Sequence, residues 1–239
     1  MMNEVVKIVV LTLIAGLAMP LGATLAAVER IRPFWLENEL RHAVIAFGGG
    51  ALLAAVALVL VPEGMHGLPP WAVVASFVSG SLLFMLLDMR LAANDTQLSQ
   101  LVAMLSDFVP EALALGAAFT FSESAGLLMA GIIALQNMPE GFNAYREIMA
   151  STDYRRLPII GAFVLMALLG PIAGLTGYAF LAEYPRVISC IMLFAAGGIL
   201  YIIFQDIAPQ ARLKSHWAPP LGASAGFLLG VVGKMLTGA

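Results

Sequence analysis

The sequence predicts an all-α membrane protein of eight transmembrane helices, and three observations predict it. The first is composition: of 239 residues 61% are hydrophobic and only 11% charged, where soluble domains carry about 25% charge. So little charge cannot solvate a surface, and the apolar excess has to face lipid. The second is that apolar stretches near the ~20 residues needed to cross a ~30 Å hydrocarbon layer recur eight times. The third is that the connections are short, the longest running from Glu29 to Arg41, which leaves one transmembrane domain over 1–239 and no soluble module.

Taken in order, the first stretch is 5–28. Among its leading residues Glu4 cancels Lys7, so it lacks the positive leader of a secretory signal, and its apolar run exceeds a signal core. It therefore reads as a spanning helix. The second, 42–61, contains Gly48, Gly49 and Gly50, a run with no following lysine to serve a phosphate and suited instead to close helix packing. The third, 69–88, ends on Asp88, and the fourth and fifth, 98–121 and 124–145, carry acids away from their ends. The sixth, seventh and eighth are 157–181, 187–208 and 220–237.

Lys and Arg set the orientation. With the N-terminus outside, the inner connections hold Arg30, Arg32, Arg41, Arg90, Arg146, Arg155, Arg156, Arg212 and Lys214, whereas only Lys7, Arg186 and Lys234 fall outside. Both termini are thus expected on the non-cytoplasmic side of an inner membrane. The formal net charge of −3 and the absence of a basic run exclude nucleic acid as a partner. The lone Cys190 excludes an internal disulfide or a cysteine metal knuckle.

A carboxylate at mid-bilayer costs roughly 2.5–3.5 kcal/mol, so each needs a reason. The fourth segment reads Ser106, Asp107, Phe108, Val109, Pro110, Glu111, and the fifth reads Gln136, Asn137, Met138, Pro139, Glu140. In both, a polar residue precedes glutamate by four positions and proline stands directly before the glutamate. That spacing places Asp107 with Glu111 on one helix face and Gln136 with Glu140 on another. The prolines also free the carbonyls of Ser106 and Leu135 as additional oxygen donors. Matching broken helices of opposite direction are how inverted-repeat transporters build midplane sites. Three acids without a basic partner repel one another or stay partly protonated. A bound divalent cation resolves this, and oxygen donors suit hard or borderline ions. Asp206, Gln210 and Asp88, near the ends of the seventh and third segments, are candidates to line a cation pathway.

On these residues the sequence resembles the ZIP family of metal-ion transporters, which carry His-Asn-x-Pro-Glu-Gly in the fourth helix and His-Glu-x-Pro-His-Glu or a variant in the fifth. Pro110, Glu111, Ala114, Leu115, Gly116 fit the first, and Pro139, Glu140, Gly141 the second; Gly80 to Asp88, Gly170 to Tyr178 and Ala195 to Pro209 are further family-like stretches. The resemblance implies a divergent prokaryotic-type member with eight helices in inverted repeats, pairing as a homodimer in lipid. Its substrate would be a divalent metal such as zinc, iron or manganese, moved without ATP.

Carried over by position, the first metal site comprises Asp107, Glu111, Gln136 and Glu140, with Ser106 and Asn137 as secondary candidates. Histidine is expected where Asp107 and Gln136 stand, asparagine where Phe108 stands, and an acid where Gly170 precedes Pro171. These departures lead to an expectation of one metal site in place of two. Two other readings follow from the same residues. One is an intramembrane hydrolase using Asp107 and Glu111 as acid and base, although no His-Glu-x-x-His or nucleophile setting accompanies them. The other is a metal sensor that keeps the fold without conducting.

Overall fold

A backbone surrounded by lipid has to satisfy its own polar groups, which leaves the helix as the default for apolar runs of this length. The computed structural model describes residues 2–28, 34–94, 97–120, 122–181, 184–212 and 217–238, and their side chains except at 2, 3, 34–38, 91–94, 97–103, 106, 107 and 181. Among the described residues the secondary structure is entirely helical. It comprises α1 (Met2–Val28), α2 (Phe34–Ala55), α3 (Val61–Met65), α4 (Pro70–Asn94), α5 (Gln97–Ala118), α6 (Glu123–Ser151), α7 (Arg156–Ala167), α8 (Leu169–Leu181), α9 (Pro185–Ile202), α10 (Ala208–Gln210) and α11 (Ala218–Thr237).

Several of these are segments of longer rods. A π-helical turn, Val56–Leu60, joins α2 to α3, and another, Ile203–Ile207, joins α9 to α10. Each π turn lies just before a proline, Pro62 or Pro209, which has no N–H for the carbonyl four residues back. The carbonyl freed by Pro62 is that of Leu58, and Lys234 Nζ donates to it at 2.9 Å. Pro171 breaks the sixth predicted segment in the same way. The chain tightens at Leu168, whose N–H reaches the Leu165 carbonyl at 3.2 Å, and the segment becomes α7 and α8.

Six helical stretches among the described residues are long and apolar enough to cross a membrane: Glu4–Val28, Glu39–Met65, Pro70–Arg90, Arg156–Phe180, Pro185–Gln210 and Ala218–Thr237. The other two rods are the ones predicted to carry the chemistry. In α5 the apolar part is Phe108–Ala118. In α6 the run is interrupted by Gln136, Asn137, Glu140, Arg146 and Glu147. The bounds shift modestly from expectation: α5 stops at Ala118, short of 121, and α6 runs on to Ser151, beyond 145. Ser122 defines the start of α6 by accepting the Ala125 N–H on its hydroxyl, with Glu123 in the first turn ion-paired to Lys7 of α1.

The helices form two groups. α1, α5, α6 and the α7–α8 rod pack on one another, as do α2–α3, α4, α9–α10 and α11; α6 touches α2, and α5 touches α9, where the groups meet. Both groups are held by glycines pressed on backbone. A Cβ on Gly50 would lie 2.0 Å from the Ala223 carbonyl oxygen and one on Gly226 2.0 Å from that of Phe47; likewise Gly197 faces Phe77 and Gly80 faces Phe194. Phe47, Gly50, Val56–Leu60 and Pro62 thus correspond, at constant offset, to Phe194, Gly197, Ile203–Ile207 and Pro209. Ala223 and Gly226 correspond to Phe77 and Gly80. The other group repeats the pattern: Gly22 on Met138 and Gly141 on Met19 match Gly177 on Leu113 and Gly116 on Gly174. This register carries Glu111 onto Gln136, and Lys234 onto Asp88.

Two results follow. Gly50→Val should lower the melting temperature in detergent by an amount equivalent to at least the ~1–3 kcal/mol of an overpacked core, whereas Gly131→Ala, which meets nothing within 4 Å, should gain up to about 1 kcal/mol of helix propensity. Lys234→Met, which leaves the Leu58 carbonyl without its donor, should cost about 1–3 kcal/mol in the same measurement.

Candidate functional site

Glu111 and Gln136 meet at the contact between α5 and α6. Both are buried, Glu111 with 2% of its surface exposed and Gln136 with none. Gln136 Nε2 donates to both carboxylate oxygens, at 2.6 Å to Oε1 and 2.7 Å to Oε2. One amide nitrogen is therefore the polar partner that holds a carboxylate inside an apolar bundle. The arrangement leaves Gln136 Oε1 buried without a hydrogen-bond partner among the described residues. An orphaned buried acceptor costs about 1–3 kcal/mol, and turning the amide over would set its oxygen against the carboxylate. With the carboxylate ionised this orientation is the favourable one, and no donor among the described residues satisfies the amide oxygen.

Glu140 lies one turn after Gln136 on the same helix, as predicted, and is half-buried. It stands within Coulombic reach of Glu111. Glu140 lines a cavity of about 150 Å³ between the two helix groups, whose walls also include Gly48 and Gly49 of α2, Asp88 of α4, Asn143 and Glu147 of α6, and Tyr201, Gln205, Asp206 and Gln210 of the α9–α10 rod. The three pathway candidates, Asp88, Asp206 and Gln210, are brought together here. Tyr201 Oη donates to Asp88 Oδ2 at 3.0 Å. Gln210 bonds the Asp206 carboxylate, on which the charges of Asp88 and Glu147 also act. Gln205, whose carbonyl is the one freed by Pro209, is in the same wall.

The side chains of Asp107 and Ser106 lie outside the described residues; the backbone of α5 puts Asp107 one turn before Glu111. Among the described residues no three His, Cys, Asp or Glu side chains gather closely enough to hold a metal ion. Glu111, Gln136 and Glu140 are the described part of the expected set. Asn137 Nδ2 donates to the Ala15 carbonyl at 2.9 Å, so its amide nitrogen ties α6 to α1. Sequence reasoning missed Asn143 and Glu147, although their spacing of three and seven from Glu140 puts them on its face. Gln205 and Lys234 were missed because their roles follow from the prolines of other turns.

Phe108 stands where the resemblance expects asparagine. It is 1% exposed, and its Cζ would lie 2.8 Å from a Cβ on Gly170 and 2.9 Å from one on Gly16. The two departures from the family pattern, Phe108 and Gly170, thus fit each other sterically: the ring occupies the space that an acid at 170 would need.

The described residues thus form an all-helical, membrane-type bundle with a buried carboxylate and amide pair, and with an acidic cavity, lined by Glu140, between its two helix groups. Comparison with known proteins finds similar chains among curated transporters. The chain is 24% identical over 252 residues to the zinc transporter ZupT of Chlorobium phaeovibrioides, covering 88% of this chain and 90% of the relative. It is 26% identical over 245 residues to the zinc transporter ZupT of Nitratidesulfovibrio vulgaris, covering 84% and 86%. These similarities support the reading of the chain as a divergent prokaryotic ZIP-type protein. No protein-family model matches it.

Phe108→Ala should cost about 3–5 kcal/mol of stability, because the cavity it leaves between α1, α5 and α8 is walled by glycines that cannot fill it. Chemical or thermal unfolding in detergent measures this.

Proposed function

We propose that this chain carries a divalent metal cation, zinc foremost, across the cytoplasmic (inner) membrane without ATP, with Asp107, Glu111, Gln136 and Glu140 as its midplane site. The observation that carries the reading is the buried Glu111 carboxylate held by the nitrogen of the Gln136 amide, whose own oxygen has no hydrogen-bond partner among the described residues. A cation entering there gains Glu111, Glu140 and the orphaned Gln136 Oε1 at once, and removes the repulsion between the two carboxylates. Zinc is put first because the relatives are named zinc transporters; iron and manganese suit the same oxygen donors.

The two rods that are less apolar complete eight crossings, with both termini on the non-cytoplasmic side. The repeated glycine contacts and π turns support an inverted repeat in which the first three rods answer the last three and α5 answers α6. Such repeats work by one bundle moving against the other around a fixed site, and the acidic cavity lies where the two helix groups meet. Its Asp88, Asp206, Glu147 and Gln210 attract the ion and pass it to or from Glu140. Phe108 seated against Gly170 supports one ion per chain, since a ring fills the second family position and cannot ligate. A pair of chains in lipid is the assembly that the family resemblance favours.

Uptake of zinc into proteoliposomes tests the reading. Glu111→Ala and Glu140→Ala should each reduce uptake to the background of empty liposomes while eluting as folded protein on gel filtration; unchanged uptake in both would remove the site. In a competition panel, Asp107→His and Gln136→His should shift preference toward zinc over manganese, since imidazole suits zinc better than oxygen donors do.

A further inference from the structure

A second and larger cavity opens on the lipid-facing side of the bundle, between α2, the α9–α10 rod and α11. Its volume is about 870 Å³, within the ~300–1,000 Å³ of small-ligand sites. Its walls are almost wholly apolar and include Gly50, Leu53, Phe204, Ala208, Phe227 and Val231. The glycines and Ala223 keep the floor low, because Gly50 rests directly on the Ala223 backbone. Along α11 the groove runs from Pro219 to Val231, which at ~1.5 Å per residue is about 18 Å. That is a little over half of a ~30 Å hydrocarbon layer, or about the depth of one leaflet.

The two ends differ. Toward the bilayer centre the lining is Leu53, Ile203 and Val231, all apolar, whereas toward the membrane surface stands Arg212, two residues past the last residue of the Pro185–Gln210 span. Trp217, 82% exposed at the N-cap of α11, is on the same connection and marks the headgroup level, where indole rings settle. The groove thus offers one leaflet's depth of apolar surface, topped by one guanidinium at the height of the phosphates.

We propose that this groove is a binding site for an anionic phospholipid, with an acyl chain along α11 and the headgroup phosphate on Arg212. Guanidinium pairs with phosphate through two parallel hydrogen bonds, and anionic headgroups are drawn to basic residues beside transmembrane helices. The site bears on the vestibule as well. Gly49 and Ile207 line both cavities, and a Cβ on Gly49 would lie 2.7 Å from Ile207 Cγ2. A seated acyl chain therefore backs the wall that separates lipid from the acidic cavity.

Native mass spectrometry of the purified chain, mixed with equal amounts of palmitoyl-oleoyl phosphatidylglycerol and phosphatidylethanolamine, tests the proposal. One phosphatidylglycerol per chain should be retained about fivefold over phosphatidylethanolamine, the factor corresponding to about 1 kcal/mol for one basic residue at an anionic headgroup. Arg212→Gln, an exposed position, should abolish the preference, and a phosphatidylglycerol with six-carbon chains should be retained less than the long-chain lipid. Equal retention of both headgroups by the unaltered protein, a preference that survives Arg212→Gln, or equal retention of the short-chain lipid overturns it. So does disulfide cross-linking of Ser224→Cys to a second copy in membranes, which would make the groove an interface between chains.

Discussion

The contact between the Glu111 carboxylate and the Gln136 amide constrains the rest of the molecule. Ionised acid in hydrocarbon is stable only if it is paired, hydrogen-bonded or neutralised. Here a neutral amide supplies a single nitrogen to two oxygens at 2.6 and 2.7 Å, which steadies the carboxylate without cancelling its charge. On the proposed reading the positive partner of this carboxylate comes from outside, as the transported ion. A lysine or arginine in that place would satisfy the carboxylate permanently and fill the site.

Holding such a pair requires α5 and α6 to be fixed against their neighbours to within a fraction of an ångström, and the glycine contacts do this. Gly141 on Met19 and Gly22 on Met138 lock α6 to α1, while Gly116 on Gly174 and Gly177 on Leu113 lock α5 to α8. In bilayers, where apolar side chains gain nothing by leaving lipid, such close backbone approach is a main source of helix association. The two halves then differ at corresponding positions: Lys234 closes the carbonyl freed by Pro62, while its counterpart Asp88 lies in the open cavity beside Gln205. One half supplies its own cation, and the other presents oxygen. That asymmetry lets a symmetric frame hold a cavity on one side.

How much of this was legible in the sequence depends on what kind of signal each feature leaves. The apolar helices were readable as uninterrupted runs, and the Pro-Glu pairs at 110–111 and 139–140 stood out because acids are expensive in lipid. The four-residue spacing puts Gln136 and Glu140 on one face of α6, since helical periodicity is a local property. The match of Glu111 to Glu140 by motif is another matter: packing pairs Glu111 with Gln136 across the repeat, and only backbone contacts reveal it. The repeat itself survives in few identities, Phe47 with Phe194, Gly50 with Gly197 and Pro62 with Pro209, too sparse to find without knowing which carbonyl each glycine faces. Phe108 read as a lost ligand, and its partnership with Gly170 became visible only in space.

X-ray absorption spectroscopy of the zinc-loaded protein addresses the central claim most directly. A carboxylate and amide site predicts a first shell of oxygen near 2.0–2.2 Å, retained when His42, His66 and His216 are substituted and lost with the metal itself in Glu111→Gln. A shell dominated by nitrogen from His42, His66 or His216, unaltered by Glu111→Gln, would contradict it.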